Sequence, residues 1–502
     1  GELALQEPLL QAVDIDNEVS SQQETLHVHL EGEREQEAQT TEANETEHFF
    51  TGTVQPPAYH DVGFAVIFLL MLVWVTGCAA LVGDWDWIET SMNATNTTGV
   101  EVTLAKGIDM VIDLEGILVW QVVFFLGVVL VSTLVSTSTV LWLLQHYTLP
   151  VVHLSFLAWP LVVLVTTISL LTKNMDDMGT LMLVLVIAFV LLAWLALRYY
   201  AARSFLPYTA ANLQVALQAI PRSLWIVAVT GQLLACVYTL LWYAALMGVL
   251  PYFTQTGIVV LFVIPLYWTT TVVWNLVRTT TAGTVAAWWF GAERSETYES
   301  LVRASTYGLG SICFGSLLVA LAQVAEVLVA WTRRSRHRMQ EDSLLLCCAE
   351  CALRLLKEIV EYFSAWAFLY VGIYGYSYFE AGKTVTRVFQ QRGWAFLWTD
   401  RWMHLVLAVC RWTTAFGTAL LTIVILGAAA GWKNVDGDGA LFTGIMAMAF
   451  SLWITSSSFF VVESAVRTII LCFTERPSDG ASHHPVAVDM LVEGWSKSYS
   501  DW

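Results

Sequence analysis

Long apolar runs separated by short polar segments occupy most of the chain from residue 63 onwards. Each run approaches the ~20 residues that a helix needs to cross the hydrocarbon core of a bilayer. The pattern therefore predicts an all-α fold, a polytopic membrane helix bundle with about ten transmembrane helices. The predicted spans are 63–83, 117–142, 151–171, 180–198, 223–247, 256–278, 306–331, 364–380, 404–429 and 440–466. The eighth span is short and rich in Tyr and Ser, so a re-entrant or broken helix is an alternative there.

The seventh span, 306–331, carries the polar side chains Gln323 and Glu326 within its apolar sequence. A carboxylate near the bilayer midplane costs about 2.5 kcal/mol or more, so Glu326 is expected to face a protein interior, a water-filled cavity or a membrane interface. Ser311 and Gly315 lie four residues apart in the same span. Small residues at this spacing let a neighbouring helix approach closely.

Composition agrees with the membrane class, because 57% of the residues are hydrophobic and only 13% are charged. The net charge of -18 comes mainly from residues 1–60, which hold 13 acidic residues against Arg34 alone. A segment this polar and self-repelling is predicted to be a disordered acidic tail. A transmembrane domain is predicted at 61–477, followed by a C-terminal tail at 478–502.

The sidedness of the bundle is predicted from sequons and basic residues. The loop 84–116 carries two glycosylation sequons, at Asn93 and Asn96, and is therefore predicted to be a glycosylated outer loop. Both termini are then cytosolic, together with most arginines of the short loops. The basic, Cys-rich amphipathic connection 332–363 fits this arrangement only if the spans on either side of it are both re-entrant, and that alternative stays open.

Signatures of soluble enzymes are missing from the sequence. It contains no Walker loop, no HExxH and no GxSxG, and the glycines of GLGSICFG lack the strand-then-helix context of a dinucleotide site. Cys347, Cys348 and Cys351 have only His337 nearby, so a buried thiol cluster or palmitoylation is favoured over a metal site. We therefore predict no catalytic residue, no metal, no cofactor and no nucleic-acid partner.

Four segments together resemble a known family. They are TTAGTVAAWWF at 280–290, RASTYGLGSICFGSLLVALAQ at 303–323, WAFLYVGIYGYSYFEAGK at 366–383 and VVESAVRTIILCFTERP at 461–477. In order and spacing, over roughly residues 205–477, they resemble the choline transporter-like family, solute carrier family 44. The resemblance implies a ten-helix transporter with both termini in the cytosol and a glycosylated first outer loop, moving choline or a related amine.

A choline-like cation cannot shed its charge, so its pocket is expected to supply aromatic faces and a carboxylate. The candidate substrate-binding residues are Trp242, Tyr243, Trp268, Thr271, Asn275, Gln323, Glu326, Tyr374 and Glu380. Trp268, Thr271 and Asn275 recur at i, i+3 and i+7 and therefore share one helix face. For each aromatic ring, packing or an interfacial position is the competing interpretation.

The expected carboxylate is not on the sixth span. Many members of the resembled family have an acidic residue where this chain has Thr271, so the acid is sought at Glu326, Glu380 or Glu463 instead. Arg411, another intramembrane charge, is expected to form a structural ion pair with one of these acids or to extend to the interface.

Together these features predict a membrane transporter of choline or a related amine that works by alternating access through an aromatic-lined central cavity, in the plasma membrane. The expected partners are a small-molecule amine and the lipid bilayer, with or without a coupling ion. A facilitative channel for small organic solutes is the first alternative. A membrane scaffold and a membrane-embedded lipid enzyme are the others.

Overall fold

The computed structural model describes residues 56–81, 83, 119–173, 178–249, 256–292, 297–337, 344–430 and 437–498. Over these residues the regular secondary structure is α-helical, without strands, and the predicted all-α fold is confirmed. The helices in chain order are α1 (Val62–Leu81), α2 (Val119–His146), α3 (Thr148–Lys173), α4 (Met178–Ala202), α5 (Leu206–Ala219), α6 (Arg222–Val249), α7 (Thr256–Trp289), α8 (Thr297–Ser305), α9 (Leu309–His337), α10 (Leu344–Tyr374), α11 (Tyr378–Ala430), α12 (Gly437–Glu475), α13 (Pro477–His483) and α14 (Pro485–Ser498).

Seven helical segments within the described residues are long and apolar enough to cross a membrane. They are Val62–Leu81, Phe124–His146, Met182–Ala202, Arg222–Val249, Leu309–Ala330, Asp400–Ala429 and Gly439–Glu475. The predicted spans 151–171 and 256–278 fall in α3 and α7, and 364–380 covers the end of α10 and the start of α11. None of these three regions is among the seven. A multi-pass helix bundle is therefore established, while the count of ten spans remains a prediction.

Helix α7 lies inside the bundle and contacts α6, α8, α9, α10 and α12. Its second half is rich in threonine, and four of these side chains are buried: Thr279, Thr280, Thr281 and Thr284. Each hydroxyl donates to the backbone carbonyl four residues earlier. The helix thus satisfies these polar groups with its own backbone, which allows neighbours to surround it.

Glycines and a serine permit the closest helix contacts. A Cβ on Gly372 of α10 would lie 2.5 Å from the carbonyl oxygen of Thr279 on α7, so a larger residue would push these helices apart. Gly315 of α9 likewise leaves no room for a side chain. Ser311, also on α9, donates to Asp61 Oδ2 at 2.8 Å. The close approach expected from the small residues of the seventh predicted span is confirmed.

The chain breaks between α10 and α11. Gly375 has a φ of 78°, in the left-handed region that glycine tolerates at a helix end. Ser377 and Glu380 then form a capping box: the Glu380 N–H donates to Ser377 Oγ at 3.4 Å, and the Ser377 N–H donates to Glu380 Oε2 at 3.2 Å. The break explains why the predicted span 364–380 has a weak apolar pattern.

Arg303 of α8 binds the end of α10. Its guanidinium donates to the carbonyl oxygens of Gly372 at 2.6 Å and Ile373 at 2.9 Å. Carbonyls in the last turn of a helix have no intrahelical donor, so this side chain satisfies two of them. The surrounding protein is apolar enough that burial lowers the pKa of Arg303 from its usual value.

The segment after the last predicted span is also helical and packed. Helix α14 contacts α5, where the Tyr208 N–H donates to Ser498 Oγ at 3.1 Å. The ring of Trp495 meets that of Tyr208 edge-on, with centroids 5.1 Å apart. These contacts attach residues 485–498 to the bundle.

A buried ion pair joins α11 to α12. Arg467 donates to both oxygens of Asp400, at 2.8 Å and 3.1 Å, and pairs with Glu463 at 2.8 Å. His404 contacts Asp400 at 3.6 Å and Glu463 at 3.7 Å, and it also contacts Arg467. The side chains of Arg467 and Asp400 are only 4% and 1% exposed, so each depends on the other for charge compensation.

We predict that Arg467→Met lowers the free energy of unfolding by about 3–5 kcal/mol, because Asp400 stays buried without its partner. The double variant with Asp400→Asn should recover much of that loss, since it removes the uncompensated charge. Thermal unfolding of the purified protein in detergent measures both changes, with Arg387→Met, at an exposed arginine of α11, as the matched control. A single variant as stable as the control would show that the pair does not stabilise the bundle.

Candidate substrate cavity

A cavity of about 380 Å³ lies between α7, α9, α10, α11 and α12. This volume falls within the range of about 300–1,000 Å³ that is typical of small-molecule sites. Aromatic, hydroxyl, amide and charged side chains converge on it. The lining residues are Thr271, Trp274, Asn275, Arg278, Val319, Gln323, Glu361, Ser364, Phe368, Arg411, Ser456 and Phe460.

Helix α7 contributes one continuous face to the cavity. Thr271, Trp274, Asn275 and Arg278 follow at i, i+3, i+4 and i+7, which places them on the same side of the helix. Asn275 Nδ2 donates to Ser316 Oγ of α9 at 2.9 Å, and its Oδ1 accepts from Arg278 Nη1 at 3.1 Å. Asn275 is therefore held from both sides and fixes the position of the arginine.

The aromatic part of the lining comes from three helices. Trp274 of α7 contacts Phe460 of α12 with ring centroids 5.2 Å apart, and Phe368 enters from α10. The Arg278 guanidinium carbon lies 4.7 Å from the centroid of the Phe460 ring. The contact between Arg278 and Phe460 is a cation–π interaction, so a ring of this lining can stabilise a positive charge.

Glu361 supplies the carboxylate of the lining. Gln323 Nε2 of α9 donates to its Oε1 at 2.8 Å, and Lys357 Nζ lies 4.0 Å from the same oxygen. Helix α10 runs unbroken from the amphipathic connection into the eighth predicted span. Glu361 is therefore on the same helix face as Ser364 and Phe368, three and seven residues further on.

A second cavity of about 320 Å³ adjoins the first and shares Trp274 and Ser456 with it. It lies on the α6 side of α7, and its other lining residues are Gln232, Ala235, Cys236, Thr239, Leu240, Thr270 and Trp453. Trp274 and Ser456 thus line both cavities.

Three of the candidates named from the sequence, Thr271, Asn275 and Gln323, line the first cavity together. Trp268 is 4% exposed and lies elsewhere, because its indole donates to the Cys313 carbonyl oxygen of α9 at 2.9 Å. Trp268 and Asn275 are seven residues apart and share one helix face, as the spacing predicts. At Trp268, however, this face packs against α9 and does not reach the cavity. Their roles in substrate binding remain predictions.

The other aromatic candidates also lie away from the lining. Trp242 donates its indole N–H to the Phe262 carbonyl oxygen at 2.7 Å, and Tyr243 is 40% exposed. The buried Tyr374 donates its hydroxyl to Glu475. Sequence spacing could not reveal the position of Tyr374, because its partner Glu475 lies 101 residues further along the chain.

Of the acidic candidates, Glu326 pairs with Lys357 at 2.9 Å and with Arg354 at 3.3 Å. Glu380 belongs to the capping box of α11, and Glu463 to the buried pair with Arg467. All three carboxylates therefore have partners within the described residues.

Among the described residues Arg411 does not form the ion pair expected for it. Asp400 of α11 and Glu463 of α12 bind Arg467 instead. The Arg411 guanidinium carbon lies 6.0 Å from the centroid of the Phe459 ring, and the side chain lines the cavity. The predicted sequons at Asn93 and Asn96 fall outside the described residues.

Arg278 and Glu361 of the lining were not among the residues named from the sequence, and Trp274 was considered only as one of the aromatic side chains of the sixth predicted span. A signal was present for Trp274 and Arg278, because extending the polar face of α7 by one turn from Thr271 reaches both. Glu361 had no such signal, since it falls in the predicted amphipathic connection 332–363, whereas the structure continues α10 from Leu344 through to Tyr374.

The chain resembles known proteins over the region that forms this cavity. A family described as "Plasma-membrane choline transporter" matches residues 186–478, which include all five cavity helices. A CTL-like protein of Dictyostelium discoideum is 27% identical over 326 residues, 62% of this chain and 56% of that protein.

Fungal proteins named PNS1 show similar identity. That of Gibberella zeae is 28% identical over 252 residues, 48% of this chain and 46% of its own length. That of Saccharomyces cerevisiae is 25% identical over 303 residues, which are 54% of this chain and 55% of its own length. The chain spans about half the length of the curated relatives it matches.

We predict that replacing two tryptophans of α7 by alanine lowers the free energy of unfolding by different amounts. Trp268→Ala should lower the free energy of unfolding by about 3–5 kcal/mol, because a buried indole and its hydrogen bond are lost. Trp274→Ala should cost less, since its ring lines both cavities. Thermal unfolding in detergent measures the difference. Equal losses, or a larger loss for Trp274→Ala, would contradict the assignment of Trp268 to packing.

Proposed function

The chain belongs to the choline transporter-like family, and from that premise we propose that it is a carrier for choline or a related organic amine. In this proposal the substrate binds between α7, α9, α10, α11 and α12 and is exposed to the two sides of the membrane in turn. The carrier acts in the plasma membrane with both termini in the cytosol. It makes and breaks no covalent bond in its substrate.

The observation that carries the proposal is a carboxylate on an aromatic-lined cavity inside a multi-pass bundle. Choline keeps its positive charge at every pH, so a site away from water must replace hydration with rings and negative charge. Trp274 and Phe368 offer rings, and Glu361 offers the charge. Gln323 orients Glu361 through its hydrogen bond, so the carboxylate is positioned before the substrate arrives.

The two adjoining cavities favour a carrier over the channel alternative. A channel needs a continuous polar path, whereas here two separate volumes share the side chains of Trp274 and Ser456 in their lining. A ring shared by two volumes can close one of them while the other is open. We assign Trp274 this gating position in the transport cycle.

The first test is transport by the purified full chain in liposomes. We predict saturable uptake of radiolabelled choline, and faster uptake when the liposomes contain unlabelled choline, because a carrier exchanges substrate across one site. Flux without saturation and without this counterflow would instead support the channel. Uptake no greater than that of empty liposomes, under any proton or sodium gradient, would contradict transport of choline.

The second test concerns the carboxylate. Glu361→Gln is predicted to raise the choline concentration for half-maximal uptake by at least about tenfold, equivalent to about 1.4 kcal/mol. The amide keeps the size of the side chain but removes the charge that faces the cation. Glu358→Gln, at an exposed position one turn earlier on α10, is the matched control and should transport like the unaltered protein. Equal effects of the two substitutions would remove Glu361 from the site.

A further inference from the structure

The cavity holds more positive charge than a site for a simple cation requires. Its lining includes two arginines, Arg278 and Arg411, against the single carboxylate of Glu361. We infer that the preferred substrate is a zwitterion, in which a quaternary or primary ammonium group is joined to a carboxylate that binds the two arginines. This inference rests on the proposed transport function and narrows its substrate class.

Arg278 is fixed in place but incompletely bonded. Asn275 Oδ1 accepts a hydrogen bond from Arg278 Nη1, and the face of the Phe460 ring contacts the guanidinium group. Its Nε atom is shielded from solvent and has no hydrogen-bond acceptor among the described residues. A buried guanidinium N–H without an acceptor is unfavourable, because the group has lost water without gaining a protein partner. The site therefore favours an incoming oxygen atom.

Arg411, on α11, also has a guanidinium N–H without an acceptor in the described part of the chain. It lies in the middle of the apolar segment Asp400–Ala429, where a charge is costly. Its Nε also lacks an acceptor within the described structure, and its guanidinium carbon is 6.0 Å from the Phe459 ring centroid. A carboxylate on the substrate would supply the negative charge that this arginine lacks among the described residues.

Neighbouring carboxylates do not fill this need. Asp400 and Glu463 both bind Arg467, at 2.8 Å each, and His404 contacts the same two acids. Among the described residues neither of these acids nor His404 hydrogen-bonds to Arg278 or Arg411. The two arginines of the cavity therefore keep N–H donors for a ligand.

The lining also contains groups that can bind the ammonium end of a zwitterion. Gln323 Oε1 is buried and has no donor among the described residues, and the carboxylate that its amide group binds belongs to Glu361. Unsatisfied donors and an unsatisfied acceptor thus border the same volume. Choline would bring a cation and one hydroxyl, whereas a carboxylate matches the guanidinium donors with charge-assisted hydrogen bonds.

Glycine betaine and choline form a matched pair of probes, because both carry a trimethylammonium group and they differ in a carboxylate against a hydroxymethyl group. With the full chain in liposomes, we expect unlabelled betaine to inhibit radiolabelled choline uptake at a concentration at least tenfold lower than unlabelled choline does. We also expect radiolabelled betaine to be taken up. Betaine that inhibits no better than choline would overturn the inference while leaving choline transport intact. Uptake of neither solute would overturn the inference and the proposed function together.

Substitution of the arginines tests the contact itself. Arg411→Gln and Arg278→Gln should each abolish the preference for betaine and reduce choline uptake far less, while Arg411→Lys should restore part of the preference. Arg387→Gln, at an exposed position of α11 outside the cavity, should leave the ratio unchanged. Direct binding of both solutes to detergent-purified protein, scored only on the monodisperse fraction, separates loss of the contact from misfolding. An unchanged ratio in folded samples of both Gln variants would overturn the assignment.

Discussion

The structure depends on one constraint: polar side chains within an apolar bundle must find their partners in the protein, because hydrocarbon offers none. Helix α7 meets this constraint in two ways. Its threonines bond to their own backbone, and Asn275 bonds to Ser316 of α9 and to Arg278. These bonds allow a polar helix to lie among several neighbouring helices.

The same constraint separates structural charges from charges available to a ligand. Asp400, Glu463 and Arg467 compensate one another, and Glu326 is paired with basic side chains of α10. Such pairs stabilise helix contacts but offer little to a solute. Arg278 and Arg411, by contrast, reach the cavity with incomplete bonding. Charge alone therefore does not identify a site residue in this bundle; the state of its partners does.

Much of the fold could be predicted from the sequence because bilayer thickness imposes a length on apolar runs. Small residues such as Gly315 also indicated a helix contact, since close approach is a local steric property. The site was harder to predict. Thr271 and Asn275 were found from their shared face, but Glu361 depends on α10 continuing through a segment that looked like a connection. Trp268 lies outside the lining because its indole hydrogen-bonds to Cys313 on another helix. Pairings between distant segments are not encoded in local spacing.

The central claim is that the volume between α7, α9, α10, α11 and α12 is the substrate site. Its most direct test is an experimental structure of the protein in a lipid nanodisc, determined with and without saturating glycine betaine or choline. The account predicts ligand density in contact with Trp274 and Glu361, with a carboxylate, where present, directed at Arg278 and Arg411. Ligand density at another place in the bundle, with this volume occupied by lipid or side chains, would contradict it.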